Sequence, residues 1–339
     1  MAGELRSAVP AATPDPGARR WWLAASGVVL LALAGSLAAG LWTPGRLLPP
    51  PRERVLVLNT AAVPVAGALP RAAAILRHRL MSVGYAHPAV SVTGPRTVTV
   101  RVAAEPEDLR QLVAPGRVSF RAVRAGPALP DPPPEANEQD DGGPPAPDLP
   151  SLAAKLGPAY PLAQRISDPA GVDADTSTAL ATFGALTPAE VTLLPATMQY
   201  AVPAIGCDRL TGPDDPGAPL AACQPGAGKY LLDPAGAGQT DIAGVSVLLD
   251  AATGWAARVR FTPAGQARWS ALTEAVLDGP TTGHLAVVLD REVLAAPRIL
   301  QVGTGDELIT VPGMDQHRAA CLAALLAWGP LPVEFTTDN

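Results

Sequence analysis

The sequence predicts an α+β fold, with helices on one face of antiparallel strands, joined to one N-terminal membrane-spanning helix. Short runs of β-branched residues alternate with amphipathic helical segments, which is typical of a small α+β sandwich. The 339 residues are 48% hydrophobic, enough to fill a core. The stretch from Trp21 to Gly45 contains no ionisable residue.

This uncharged stretch predicts a membrane anchor over residues 21–45, preceded by a cytoplasmic tail over residues 1–20. Its apolar core, Trp21 to Trp42, would span about 33 Å as a helix, and a bilayer core is about 30 Å thick. The alternative is a cleavable signal peptide, because Ala38-Ala39-Gly40 resembles a cleavage site. The run is longer than a signal-peptide core of about 7–15 residues, which favours the anchor.

The cysteines predict that the large C-terminal part lies outside the cytoplasm. Arginines flank the anchor equally on both sides, so the positive-inside rule does not orient it. Cys207 and Cys223 bracket a Pro/Gly-rich loop, where a disulfide would restrict the unfolded chain as exported proteins often require. Two free thiols are the alternative, because spacing alone does not bring the Cα atoms within about 6 Å.

The first folded segment is predicted over residues 55–124. Its elements are two helices and four strands: strand 55–58, helix 69–83 ended by Gly84, strands 89–92 and 97–102, helix 107–113 and strand 118–123. Residues 125–150 are too polar and proline-rich to bury a core, and they predict a disordered linker.

The second folded segment is predicted over residues 151–330, with a closing strand and tail over residues 331–339. Helices are expected at 173–183 and at 188–194, where Thr187 and Glu190 form a capping box. The stretch 203–239 is expected to be loop-rich, interrupted by a strand-like segment over residues 229–232. The remaining elements alternate: strands 245–249 and 255–261, a helix from Pro263 with an apolar stripe of Trp269, Leu272, Ala275 and Val276, a hairpin over 284–296 turning at Asp290-Arg291, strand 309–311, helix 315–328 and strand 331–335.

No catalytic, cofactor or metal site is predicted, and we expect the chain not to be an enzyme. The four histidines are scattered, and Asp208, Asp214 and Asp215 are interpreted as a solvated loop. The net charge of -6, without a dense basic run, argues against nucleic acid. Trp255, Trp269 and Trp328 suggest either a peptide-binding cleft or core packing. Core packing is favoured, because Trp269 and Trp328 lie on the apolar faces of their helices.

The later segments GWAARVRFTPAGQARWSALT, LAVVLDREVLAAPRI, GDELITV and WGPLPVEF resemble, in this order, the head subdomain of the first extracytoplasmic domain of the protein-export subunit SecD. The earlier stretch ILRHRLMSVGYAHPAVSVTGPRTVTVRV resembles the base of that domain. Cys207, Cys223 and GKYLLDP resemble an insertion of actinobacterial members. The resemblance implies a ferredoxin-like base over residues 55–124 and an α+β head over residues 151–330.

The chain also departs from SecD. It reads ERVLVLNTAAV where the family has an Asp-Leu-x-Gly-Gly-like segment, it has Asp290-Arg291 where the hairpin turn is usually Asp-Gly, and no bundle of transporter helices follows the single anchor. The expected function is a non-catalytic accessory or binding module in protein export that engages translocating polypeptide or the export channel. The alternative is an envelope structural or regulatory protein that keeps the fold; a hydrolase is disfavoured. The sequence predicts no oligomeric state.

Overall fold

The computed structural model describes residues 53–103, 106–128, 148–212, 214–279, 282–310 and 313–337. The part from Glu53 onward forms one compact unit. Within the described ranges, no helix has both the length and the apolar character needed to cross a bilayer. The predicted anchor over residues 21–45 lies outside these ranges, as does most of the predicted linker.

The chain forms thirteen strands: β1 Arg54–Asn59, β2 Ala89–Val92, β3 Thr97–Val102, β4 Val118–Ala128, β5 Leu220–Gln224, β6 Gly228–Leu232, β7 Ala237–Gly238, β8 Ile242–Asp250, β9 Gly254–Phe261, β10 Leu285–Leu289, β11 Glu292–Ala295, β12 Glu307–Ile309 and β13 Thr336–Thr337, counted over the described residues. The α-helices in the same ranges are α1 Ala68–Val83, α2 Pro106–Val113, α3 Leu149–Leu156, α4 Ala159–Ala163, α5 Ala174–Ala179, α6 Pro188–Thr192, α7 Ala196–Ala201, α8 Pro263–Asp278 and α9 Gln316–Trp328.

A four-stranded antiparallel sheet, in the order β13-β1-β3-β2, forms the first layer. The predicted bounds of β2 and β3 are confirmed. The predicted alternation is also confirmed, because Val98, Val100 and Val102 are buried against Leu76 and Leu80 of α1. Gly84 ends α1 in a left-handed conformation, as the sequence predicts.

A small closed β-sheet forms the second layer. β4 pairs with both β6 and β10, and the ring is completed through β11 and β5, so that the five strands enclose a small barrel. Alternate residues fill its interior: Val123, Leu220, Ala222, Tyr230, Leu232, Ala286, Val288 and Val293. Both faces of β4 are therefore buried, because Phe120 on its other face belongs to a separate core.

The third sheet, in the order β12-β9-β8, packs with α8 and α9 against the outside of the barrel. Helix α9 is buried on two sides. Cys321 and Ala324 contact the core under the four-stranded sheet, whereas Leu322 and Leu326 contact the core that includes β10. This helix therefore joins the two main layers.

A helical lobe over residues 148–212 covers the remaining outer face of the barrel. Its core includes Phe183 and Met198, which pack with Ala221 of β5 and Leu231 of β6. The predicted capping box at Thr187 and Glu190 is confirmed.

Several sequence-based boundaries need correction. The loop-rich interpretation of residues 203–239 is wrong for β5. Residues 220–224 form a strand because they pair with β6. Strand β4 continues to Ala128, into the predicted linker, because it pairs with β6 there. The closing strand is β13 rather than residues 331–335, because Pro332 has no backbone N–H to donate to a ladder. The buried stripe of α8 is also rotated, since Ala275 is exposed and Thr273 is buried.

Candidate functional site: a cleft at the polar end of the barrel

A cavity of about 550 Å³ opens between the barrel, the helical lobe and the C-terminal segment. Its walls come from the loop before β4, the lobe segment around Leu210, the disulfide, the β10–β11 turn and Phe335. This volume is in the range of ordinary ligand sites.

The β10–β11 turn consists of Asp290 and Arg291, as predicted, and both residues are left-handed, with φ of 49° and 69°. This conformation disfavours residues other than glycine by about 1–2 kcal/mol each. Two bonds to the Asp290 side chain help to hold the turn: the carboxylate accepts from the backbone N–H of Gly116 at 2.7 Å and of Arg117 at 2.8 Å. Burial nevertheless raises the pKa of Asp290, against the effect of these bonds.

Arg291 lies inward from this turn and is 6% exposed. One terminal nitrogen donates to the Gln199 side chain at 2.8 Å and to the Ala221 carbonyl at 3.0 Å, and the other donates to the Thr211 carbonyl at 3.2 Å. Its Nε is buried and has no hydrogen-bond partner. Burial lowers the pKa of Arg291.

A buried ion pair closes the same end of the barrel. Arg121, fully buried on β4, donates to Asp214 at 2.5 Å, and Ser119 donates to the other oxygen of that carboxylate. Burial lowers the pKa of Arg121, and the charge of Asp214 opposes this shift. The interpretation of Asp214 as a solvated loop residue is wrong, because its side chain is 6% exposed.

The disulfide forms part of the cleft wall. Cys207 and Cys223 are bonded, with Cα atoms 5.7 Å apart, and they join the helical lobe to β5. Both residues line the cavity and are partly buried.

Glu292 lies between this cleft and a second cavity of about 480 Å³, since it lines both, as does Asp290. Partial burial and the negative charge of Asp290 raise the pKa of Glu292. The second cavity is mostly apolar, with Leu289, Met314 and Leu322 among its walls.

The tryptophans are not gathered at the cleft. Trp269 is 2% exposed and stacks on Phe261 with ring centroids 5.2 Å apart, so its predicted core position is confirmed. The core prediction for Trp328 is wrong: this side chain is 41% exposed, stacks on His78 at 4.2 Å and donates to Ser82. It lies in the last turn of α9, where the apolar face reaches the surface. Trp255 is partly buried.

Sequence reasoning missed Arg121 and Arg291 as parts of this site. A polar residue in a strand normally marks the solvent face, but β4 has no solvent face here. The only feature of the sequence that could have indicated this site is Arg291, which stands in a hairpin turn where glycine is expected. Within the described residues, no cluster of histidine, cysteine and carboxylate side chains is arranged to hold a metal ion.

Comparison with known proteins shows what this region resembles. Residues 222–333 match the family of the SecDF P1 head subdomain. This part of the chain is therefore similar to the head of a SecDF P1 domain. The protein translocase subunit SecD of Streptomyces coelicolor is 29% identical over 114 residues, which are 33% of this chain and 20% of that protein. The match thus spans about a fifth of the length of that SecD.

The similarity in fold extends beyond residues 222–333. A crystal structure of SecDF in its Super-membrane-facing form aligns with a TM-score of 0.50 at 19% identity, over 92% of this chain and 35% of the other. A structure of SecDF described as a membrane component that enhances protein export aligns with a TM-score of 0.45 at 19% identity, over 84% of this chain and 98% of the other. The turn Asp290-Arg291 and Cys223 lie within the matched residues 222–333, whereas Arg117 and Phe335 lie outside them.

Proposed function

We propose that the chain is a non-catalytic binding module of protein export, anchored through residues 21–45 with its P1 domain outside the cytoplasm. The observation that carries this proposal is the P1 head of residues 222–333, the kind of subdomain found in a protein translocase subunit. The disulfide supports an extracytoplasmic position, because such bonds persist in oxidising compartments.

The four-stranded sheet with α1 and α2 serves in this proposal as a ferredoxin-like base, and β13 is its closing strand. The barrel and its surrounding helices form the head. The cleft between them exposes Phe335 and the disulfide beside charged groups, a mixture of apolar and polar surface that suits polypeptide binding.

Site-specific photo-crosslinking tests the proposal. A photoreactive residue replaces Phe335 or Pro225 at the cleft, or Leu277 on the exposed side of α8 as a matched control. With a secretory protein arrested during export in membrane vesicles, we expect crosslinks to the arrested chain or the channel from the cleft positions and not from Leu277. Equal labelling from all three positions, or none from any, would favour the alternative of an envelope structural or regulatory protein.

A further inference from the structure

Strand β8 leaves one long edge of its sheet unpaired. It spans nine residues, Ile242–Asp250, and among the described residues it pairs with β9 alone. Alternate residues of such a strand turn their backbone N–H and C=O groups away from the sheet. No other backbone group in the described ranges bonds to this outer side of β8. After a bulge at its start, the register is regular from Gly244 to Asp250, so this edge can accept one further extended chain.

The other sheet edges in the described ranges are short. Strands β2, β7, β12 and β13 have two to four residues. The edge strand β2 is also partly covered, because the carbonyl of Val90 accepts from the Arg77 side chain at 2.6 Å. Short edges, lysine and proline are common means of protecting a sheet from pairing with another chain. Strand β8 has none of these, and its only charged residue is Asp250 at the hairpin turn.

The outer face of this sheet indicates which chain would fit the edge. Arg258 and Arg260 of β9 are exposed on that face. Their direct neighbours on β8 are the small residues Ser246 and Gly244, and all four line one cavity of about 170 Å³. A Cβ atom added to Gly244 would lie 3.0 Å from Arg260 Nη2. The lack of a side chain at this glycine therefore lets a guanidinium group reach across β8 toward its edge.

Neither arginine forms a hydrogen bond or ion pair with the described residues. Asp306 lines the same cavity but is not ion-paired with them, and Asp250 accepts from the backbone N–H groups of Ala252 and Thr253 in the turn. An acidic side chain on a strand added to β8 would give the two guanidinium groups an acceptor. A second copy of this chain fits less well, because antiparallel pairing of two β8 edges brings the arginines of both copies to one face of a continuous sheet.

We propose that the edge of β8 from Gly244 to Asp250 binds an extended polypeptide segment as an added strand, with acidic side chains facing Arg258 and Arg260. Side chains alternate along a strand, so the acidic residues occupy every second position. The residues between them are apolar, because they lie on the same side of the sheet as Leu249, which is 65% exposed. This inference rests on the proposed polypeptide-binding function and adds to the cleft a second contact with a defined sequence preference.

Binding of labelled peptides to the full chain in detergent tests the sequence preference by fluorescence anisotropy. Each peptide of about twelve residues has Gly/Ser-rich ends and a central Glu-Val-Glu-Val-Glu, its glutamine or lysine analogue, or the isomer Val-Val-Glu-Glu-Glu. The alternating glutamate peptide should bind about threefold more tightly than its glutamine analogue at low salt, since an exposed ion pair contributes modestly. The lysine analogue and the isomer should bind more weakly than the alternating glutamate peptide.

Backbone methylation separates strand addition from charge attraction alone. N-methyl groups at every second residue block one edge of an extended peptide and leave the other edge free. Two versions of the alternating glutamate peptide are therefore made, one with the glutamates and one with the valines methylated. One version should lose at least about tenfold in affinity and the other should bind like the parent peptide, because only one edge of an added strand pairs with β8.

A double variant locates the site on the protein. Arg258→Gln combined with Arg260→Gln should abolish the preference for glutamate over glutamine without changing the affinity for the glutamine peptide. Both side chains are exposed, so the variant should fold. Arg71→Gln, at an exposed position on α1, is the matched control and should change nothing.

The inference is overturned if the two methylated peptides bind equally, if the double variant keeps the preference for glutamate, or if sedimentation shows a dimer that excludes the peptides. If one of these results is found while the cleft crosslinks persist, the added strand is wrong and the proposed function stands. Loss of both peptide binding and crosslinks would remove the proposed function itself.

Discussion

Arg79→Met is expected to destabilise the protein strongly, because this side chain joins two chain segments that cross between the sheet and the barrel. Arg79 lies on α1 and is fully buried. Its guanidinium donates to the carbonyls of Leu112, Ala114 and Pro115, before β4, and to that of Gly329, after α9, at 2.8, 2.7, 2.9 and 2.6 Å.

Two opposing terms set the magnitude. Burial lowers the pKa of Arg79 to about 10, with the charge of Asp290 acting against the shift. This difference corresponds to a cost of about 3 kcal/mol for keeping the guanidinium charged, and methionine removes that cost. Against it, four hydrogen bonds to a charged donor contribute about 1.5–3 kcal/mol each, and their loss leaves buried carbonyls without donors. The net decrease in the free energy of unfolding should be about 3–5 kcal/mol, as for other broken buried charge networks.

Urea unfolding followed by tryptophan fluorescence measures this decrease. Arg71→Met, an exposed position on the same helix, is the control and should stay within about 0.5 kcal/mol of the wild type. Equal stability of the Arg79 and Arg71 variants would show that the four bonds contribute nothing net and that the junction is held by apolar packing alone.

Gly116→Ala perturbs the same junction from the opposite side. A Cβ atom there would lie 2.2 Å from the Arg79 Nη2 atom, and φ is 77°. Gly84→Ala is the control, because φ is 104° but no atom lies within 4 Å of the added Cβ. Gly116→Ala should cost clearly more than Gly84→Ala, since both add strain and only the first displaces the guanidinium. Similar unfolding midpoints would contradict the close contact.

Three further outcomes are expected. Reducing the Cys207–Cys223 bond, which spans 16 residues, should lower stability by about 3 kcal/mol and shift thermal unfolding, whereas a double serine variant should not respond to reductant. Val276→Asp should unfold the region around α8 and Leu272→Asp should destabilise it less, because Val276 is 1% exposed and Leu272 is only partly buried; the reverse order in urea would show the helix face to be misassigned. Burial raises the pKa of Glu307, so the folded state disfavours its charged form, and stability falls as pH rises through that pKa. Glu307→Gln should therefore raise the melting temperature at pH 7 and have little effect below about pH 4, where both side chains are neutral; a pH-independent shift would exclude this cause.

The parts of the fold that the sequence predicts are those set by local rules. The bounds of β2 and β3 follow from alternation of valine with polar residues, and Thr262, Asp315 and Thr187 are visible as helix caps. Barrel closure could not be predicted in this way. The ring depends on β4 pairing with β10 far along the chain. The polar residues Ser119 and Arg121 of β4 are buried, so they do not mark a solvent face that would reveal its partners.

The cleft was harder to predict than the fold, because its contacts join distant residues. Asp290 bonds the amide of Gly116 across 174 positions, and Arg79 reaches Gly329 across 250. The sequence suggested the disulfide as one possibility, because the two cysteines bracket a Pro/Gly-rich loop, and it left free thiols as the alternative. The role of Asp214 could not be predicted from its loop sequence, because its partner Arg121 lies far away along the chain.

At Arg291 the local backbone conformation favours glycine, whereas the tertiary contacts require a long, charged side chain. A two-residue hairpin turn with both φ angles positive favours glycine, and the family resemblance has glycine in this place. Arginine stands here with three hydrogen bonds that fix its terminal nitrogens to the helical lobe and β5. Hydrogen bonds from a charged donor contribute about 1.5–3 kcal/mol each, whereas a left-handed conformation costs a residue other than glycine about 1–2 kcal/mol. The tertiary contacts of the side chain therefore outweigh the local preference for glycine at this turn.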